Sequence, residues 1–170
     1  EDVWFVARGA HLTAMRNRGL TVQASDETFL VSPGKMTGDF NVIGTANVVL
    51  FCVKSYDTES VAAMLAPVLN DESIIISLQN GIDNGEKIRR HIPRGTVYEG
   101  AAYIYATITA PGVVSRLGEH KRIVFGPGPP NDGRGGSILA VLHNAGIRAD
   151  LTSDIQAALW TKFIFICISP

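Results

Sequence analysis

Four polar side chains stand within or just after apolar runs, and each is of a type that binds an anion or moves a proton. Arg8 follows Val3-Trp4-Phe5-Val6-Ala7. Its planar, permanently charged guanidinium suits a phosphate held by two parallel hydrogen bonds, and suits an exposed strand end equally well. Lys54 follows the apolar residues Val48 to Val53, so its stem can lie along apolar surface while the ammonium reaches phosphate, carboxylate or plain solvent. Asn80, in Leu78-Gln79-Asn80-Gly81, fits a sharp turn on conformational grounds and can also offer an amide to a ligand. Lys162 lies inside Leu159-Trp160-Thr161-Lys162-Phe163-Ile164-Phe165-Ile166. A lysine among apolar neighbours releases its proton more readily, as a general acid must, although a helix face reaching solvent accounts for it too.

Competing chemistries find little support. His11, His91, His120 and His143 are scattered without the spacing or cysteine partners of a zinc site. Gly34-Lys35 lacks the upstream glycine of a phosphate-binding loop, and there is no GxSxG nucleophile elbow. Fifteen Lys and Arg against sixteen Asp and Glu give a net charge of −1, without the clustered positive excess that nucleic-acid backbones demand. The longest apolar run, Phe163 to Ile168, is far short of the ~20 residues of a bilayer helix. Glu1-Asp2 passes straight into an apolar run, without a secretory signal's basic region or cleavage site. Cys52 and Cys167 both sit in apolar runs and read as small buried hydrophobes, which fits a reducing, cytoplasmic compartment.

The elements that must position these residues follow from periodicity. The chain has 170 residues, 46% hydrophobic, enough to bury roughly 70% of its unfolded surface without staples. Val3 to Ala7, Val48 to Val53 and Ile74 to Leu78 are short continuous apolar runs, the signature of strands buried on both faces of a parallel sheet. Helical spacing follows each, over Ala10 to Asn17, Val61 to Leu69 and Asn84 to His91, the last stopped by Pro93. Leu20 to Ala24 and Thr28 to Val31, parted by Ser25-Asp26, read as a decorating surface hairpin. Repeated βα units imply a parallel sheet with ligands at the carboxyl ends of its strands, where Arg8, Lys54 and Asn80 fall.

Beyond His91 the texture changes. Val97 to Thr109, Gly112 to Leu117 and Arg122 to Phe125 read as strands extending the sheet antiparallel and closing at Gly126-Pro127-Gly128-Pro129-Pro130. Ser137 to Ala145 reads as a helix, Ile147 to Leu151 as a strand, and Ser153-Asp154-Ile155-Gln156 as a capping box opening a last helix. That helix runs into a dense apolar stretch ending at Ser169-Pro170, an apolar surface that a further segment would normally cover. No GxGxxG is present. If Val3 to Ala7 is the second strand of a dinucleotide fold, the first strand and its glycine-rich turn belong upstream of Glu1. An arginine after that second strand favours NADP over NAD. The expected fold class is α/β, a Rossmann-like, doubly wound, mostly parallel sheet over residues 1–152, with the start of a second, helical domain at 153–170.

Five segments taken in order carry a family resemblance: Phe5-Val6-Ala7-Arg8-Gly9; Val49-Leu50-Phe51-Cys52-Val53-Lys54-Ser55; Ser77-Leu78-Gln79-Asn80-Gly81; Ala106 with Pro111-Gly112-Val113-Val114; and Leu159-Trp160-Thr161-Lys162-Phe163. Together they resemble the ketopantoate reductases over nearly the whole chain. The resemblance implies NADPH-dependent reduction of 2-dehydropantoate to pantoate, a step towards coenzyme A, in a cleft between a Rossmann-like and a helical domain. It implies that Arg8 recognises the 2′-phosphate, that Lys54 and Asn80 line the cleft near nicotinamide and substrate, that Ala106 lies against the cofactor, and that Lys162 is the catalytic lysine. Its partners would be a small 2-oxo acid and, in a homodimer, a second copy of the chain, with no nucleic acid or membrane. Ile166 departs from the pattern, standing where family members usually carry a substrate-binding Asn. Two other readings stay open: a nucleotide-sensing domain without turnover, and a related 2-hydroxy acid dehydrogenase with another substrate.

Overall fold

Short apolar runs become strands here and the spaced runs between them become helices, in a computed structural model that describes residues 2–25, 27–128 and 132–168. Glu1, Asp26 of the expected break, Pro129-Pro130 of the closing turn and the terminal Ser169-Pro170 lie outside the described residues. The fold is α/β with a mostly parallel central sheet, and the chain divides into two compact units.

The first unit comprises Glu1–Gly44 and Ile104–His120. Strand β1 (Phe5–Val6) is shorter than its apolar run and pairs in parallel with a strand at Met36–Thr37, in the register Phe5↔Met36. Periodicity could not announce that partner, because two residues carry no period. Helix α1 (Gly9–Arg18) follows β1 and buries Ala14 and Met15, while Arg16 Nε donates to Met36 O at 3.0 Å. Strands β2 (Leu20–Gln23) and β3 (Thr28–Val31) form the expected antiparallel hairpin. It is not a decoration, however: β2 also pairs in parallel with Val113 to Ser115, which makes it an internal strand of the sheet. Counting Met36–Thr37 as β4, the strands continue with β5 (Val48–Phe51), β6 (Ile74–Ser77), β7 (Thr96–Ala110), β8 (Val113–Pro127) and β9 (Arg148–Leu151), with β7 and β8 contributing to both units.

The second unit comprises Thr45–Tyr103 and Lys121–Pro170. In it β5, β6 and the first residues of β7 run parallel, and β8 pairs in parallel with β9. Helices α2 (Thr58–Leu65), α3 (Asn84–His91), α4 (Gly135–Asn144) and α5 (Ile155–Ile168) complete it. All four residues of β6 are buried, as its apolar run predicts. Ile74 and Ile76 join Tyr98, Phe125, Ile138, Leu142 and Ala149 in one core, where each fully buried large side chain contributes about 1.5–3 kcal/mol.

Two further expectations are corrected. β5 is the outermost strand of the sheet, and Val48 and Leu50, which alternate onto one of its faces, are 46% and 45% exposed where burial on both faces was expected. Cys52 and Cys167 are free and exposed. Cys52 belongs to an apolar run that outlasts its strand, which stops at Phe51, and Cys167 to the final turn of a helix that exposes Ile164, Phe165, Ile166 and Ile168. Among the described residues no helix is long and apolar enough to cross a membrane.

Candidate active site

The parallel register of the second unit sets three loop positions level with one another. Phe51 on β5 pairs with Ser77 on β6, and Ser77 pairs with Glu99 on β7. Three residues beyond this row lie Lys54, Asn80 and Ala102, past the carboxyl ends of β5 and β6 and further along β7. This is the edge of a parallel sheet at which α/β folds present ligand-binding groups.

Lys162 reaches that edge from α5. Ile155 and Leu159, four residues apart, are buried against Ala101 and Val124, and Lys162 lies three residues after Leu159, so it continues the same face. Its Nζ donates to Asn80 Oδ1 at 2.8 Å and to the Ala102 carbonyl at 2.7 Å, and lies 5.7 Å from the centre of the Tyr103 ring. Burial favours the neutral amine and pulls the Lys162 pKa below its ordinary value. An ammonium has three donors, so two fixed acceptors aim the third and leave it for a ligand oxygen.

The loop that carries Asn80 is held from beneath. The buried Gln79 side chain donates through Nε2 to Val53 O at 2.9 Å and to Thr58 Oγ1 at 2.7 Å, tying the β6 loop to the residue before Lys54 and to the start of α2. Asn84 Nδ2 in turn donates to Asn80 O at 2.9 Å. Gly81 completes the turn with φ +117°, a conformation that residues with a Cβ avoid. Asn80 therefore sits on a backbone fixed by two buried amides, as its reading as a turn residue expects.

Lys54 is exposed, and its carbonyl accepts from Asp57 N at 2.9 Å to open the single 3₁₀ turn Ser55–Asp57. Arg8 and Ala106 belong to the other unit. Arg8 is exposed at the N-cap of α1 directly after β1, with an extended backbone, and Ala106 is exposed on β7. The structure thus brings Lys162 and Asn80 together, 82 residues apart in sequence, and sets Lys54 on the neighbouring loop. Sequence reading missed the Ala102 carbonyl, the Tyr103 ring and the Gln79 amide. A main-chain acceptor leaves no mark in sequence. Gln79 did, as a large amide between a buried strand and a turn.

Within the second unit a loop amide and a half-buried lysine meet past the carboxyl ends of parallel strands, a pair able to hold and protonate a carbonyl oxygen. The family described as ketopantoate reductase PanE/ApbA matches residues 1–130. The 2-dehydropantoate 2-reductase of Halobacterium salinarum is 34% identical over 154 residues, covering 91% of this chain and 50% of that protein. The crystal structure of 2-dehydropantoate 2-reductase from Porphyromonas gingivalis W83 superposes with a TM-score of 0.88 at 34% identity, covering 97% of this chain and 58% of that one. That of 2-dehydropantoate 2-reductase from Geobacter metallireducens GS-15 gives 0.87 at 28% identity, covering 97% and 55%. The chain spans about half the length of the curated relatives it matches. With family, relatives and fold in agreement over most of its residues, the chain belongs to the ketopantoate reductase family.

Proposed function

We propose that the protein reduces 2-dehydropantoate to pantoate with NADPH, and that Lys162 is its proton donor. The observation that carries this is the double anchoring of Lys162 by Asn80 Oδ1 and the Ala102 carbonyl at the ligand edge of the sheet. Arg8 would hold the 2′-phosphate, with Ala106 against the cofactor and Lys54 and Asn80 lining the cleft. Bound NADPH would supply hydride to the ketone carbon.

The remaining work belongs to this chain's residues. As the carbon–hydrogen bond forms, the carbonyl electron pair moves onto oxygen, where the Lys162 ammonium stabilises the charge and passes one N–H proton to give the alcohol. Its lowered pKa eases that loss. Asn80 and Ala102 accept from the same nitrogen and keep its third donor aimed, so no reorganisation is needed during the reaction. Residues 1–152 would form the nucleotide-binding domain and 153–170 open the helical one, in a cytoplasmic enzyme whose homodimerisation sizing can test.

Ile166 supports a second substrate reading. It lies one turn beyond Lys162 on α5 and is 43% exposed, offering an apolar surface. A related 2-oxo acid with an apolar body is the alternative. The test is NADPH consumption by the full-length protein with 2-dehydropantoate and with branched apolar 2-oxo acids, with the product identified. Stoichiometric pantoate supports the proposal, a larger kcat/KM on an apolar 2-oxo acid selects the alternative, and no turnover with tight NADPH binding would favour a sensing domain.

A further inference from the structure

Glu99 is a buried carboxylate in the apolar strand segment Val97-Tyr98-Glu99-Gly100-Ala101, and the reduction itself makes no use of it. A carboxylate taken out of water is costly unless charge and hydrogen bonds compensate it. Compensation comes from two different helices. Arg89 Nη2 on α3 donates to Glu99 Oε1 at 2.7 Å, and Gln156 Nε2 in the first turn of α5 donates to Glu99 Oε2 at 2.5 Å. Room is made by Gly85 on α3, where an added Cβ would stand 2.2 Å from Glu99 Oε1.

Gln156 is drawn away from the capping role that the sequence predicts for it. The first turn of α5 is capped instead by Asp154, whose Oδ1 accepts from Ala157 N at 3.0 Å. α5 then follows β7 in three steps: Gln156 meets Glu99, Leu159 packs against Ala101, and Lys162 lies by Tyr103. Glu99, Ala101 and Tyr103 alternate along one face of the strand. Ile155 and Leu159 seat the helix through apolar contacts, which are non-directional and so define its rotation and axial placement less sharply than a hydrogen bond does. A hydrogen bond to a carboxylate held by Arg89 is directional, and it lies six residues before Lys162 on a rigid helix.

We propose that Glu99 is a positioning residue for Lys162: through Gln156 it fixes the rotation and axial placement of α5, so that the lysine meets both Asn80 and the Ala102 carbonyl. Stability alone does not call for a carboxylate here, since a well-packed apolar group often replaces a buried ion pair without loss. The catalytic consequence rests on the acid role given to Lys162, whereas the geometric one does not.

The experiment uses the full-length protein and Gln156→Ala, which cuts the tie to α5 and leaves the Arg89–Glu99 pair in place, together with Glu99→Gln. Crystal structures would show whether Lys162 keeps its two acceptors. Turnover would be measured for each variant with lysine and with Ala at position 162. We expect Lys162 to leave the Ala102 carbonyl and kcat to fall by up to about 10²-fold with the KM for NADPH unchanged, and no further fall where Lys162 is already Ala. Retention of both Lys162 hydrogen bonds in the Gln156→Ala structure would overturn the proposal, as would an equal loss of kcat in the two backgrounds. If Lys162 is displaced and kcat stays unchanged, Glu99 positions the lysine and the acid role of Lys162 is what fails. Should Glu99→Gln not fold, Gln156→Ala, at an exposed side chain, still decides.

Discussion

Lys162 Nζ donates to Asn80 Oδ1 across 2.8 Å, joining the middle of α5 to the loop after β6. Each side chain is held on its own side: Asn80 through a backbone tied by Asn84 and Gln79, Lys162 through a helix seated by Ile155 and Leu159. The arrangement therefore has the preorganisation expected of groups that act on a charge developing during a reaction.

The first prediction follows from that anchoring. Lys162→Ala in the full-length protein should lower kcat by about 10²–10⁴-fold, the usual worth of a positioned acid, with little change in NADPH affinity. Steady-state and single-turnover rates on a folded variant measure it. A surface lysine would leave turnover alone, and near wild-type kcat on every 2-oxo acid tried would remove Lys162 from the chemistry.

A second prediction concerns Arg8, exposed at the N-cap of α1. Arg8→Ala should weaken NADPH binding by roughly 1.5–3 kcal/mol, the scale of charge-assisted hydrogen bonds, and leave NADH nearly unchanged. Titration of both cofactors measures the difference. Equal losses would mean that Arg8 supports the fold and reads no phosphate.

Parallel strands, their helices and the row of strand-end residues were legible because each rests on a local pattern: a buried apolar run, helical spacing, a polar residue where the run stops. Asn80 announced itself in that way, and Lys162 as a charge inside an apolar run. What joins them did not. The Ala102 carbonyl is main chain, and the Glu99–Arg89–Gln156 tie connects three elements whose proximity depends on packing. Gln156 shows why local rules fail at such places, since a capping pattern was present and a buried carboxylate 57 residues away took the side chain instead. The exposure of Val48 and Leu50 depends on what packs over one face of the sheet, and a strand's own sequence does not record that.

The depressed pKa of Lys162 yields a third prediction, on stability. Burial makes the folded chain release this proton at lower pH than the unfolded chain, whose lysine titrates at its ordinary 10.5. Between those two values the unfolded state binds more protons, so the contribution of Lys162 to stability improves as pH rises through that window. Relative to Lys162→Met, which carries no titratable group, the wild-type free energy of unfolding should gain ground from neutral pH towards 10.5. Urea melts at matched pH measure the gap, and a constant gap would mean that Lys162 is solvated.

The last prediction lies away from the lysine, where Tyr98 donates to Asp132 Oδ1 at 2.5 Å and Arg134 Nε donates to Asp132 Oδ2 at 2.5 Å. Desolvation works to raise the pKa of Asp132, but the hydrogen bonds from Tyr98 and Arg134 outweigh it and hold the carboxyl at about 2. Burial, reinforced by that same carboxylate, pushes the Tyr98 hydroxyl up to about 12. A depressed carboxyl contributes stability that is complete above its ordinary value of 3.8 and is lost as pH falls through 2. Asp132→Asn should therefore unfold at lower urea than wild type at neutral pH, and the difference should shrink as pH drops from 3.8 towards 2. On the alkaline side the raised hydroxyl contributes stability below 10 that disappears as pH climbs through 12, so the gap should narrow there as well. A difference that persists undiminished into acid would show that Asp132 acts by packing, with its charge contributing nothing.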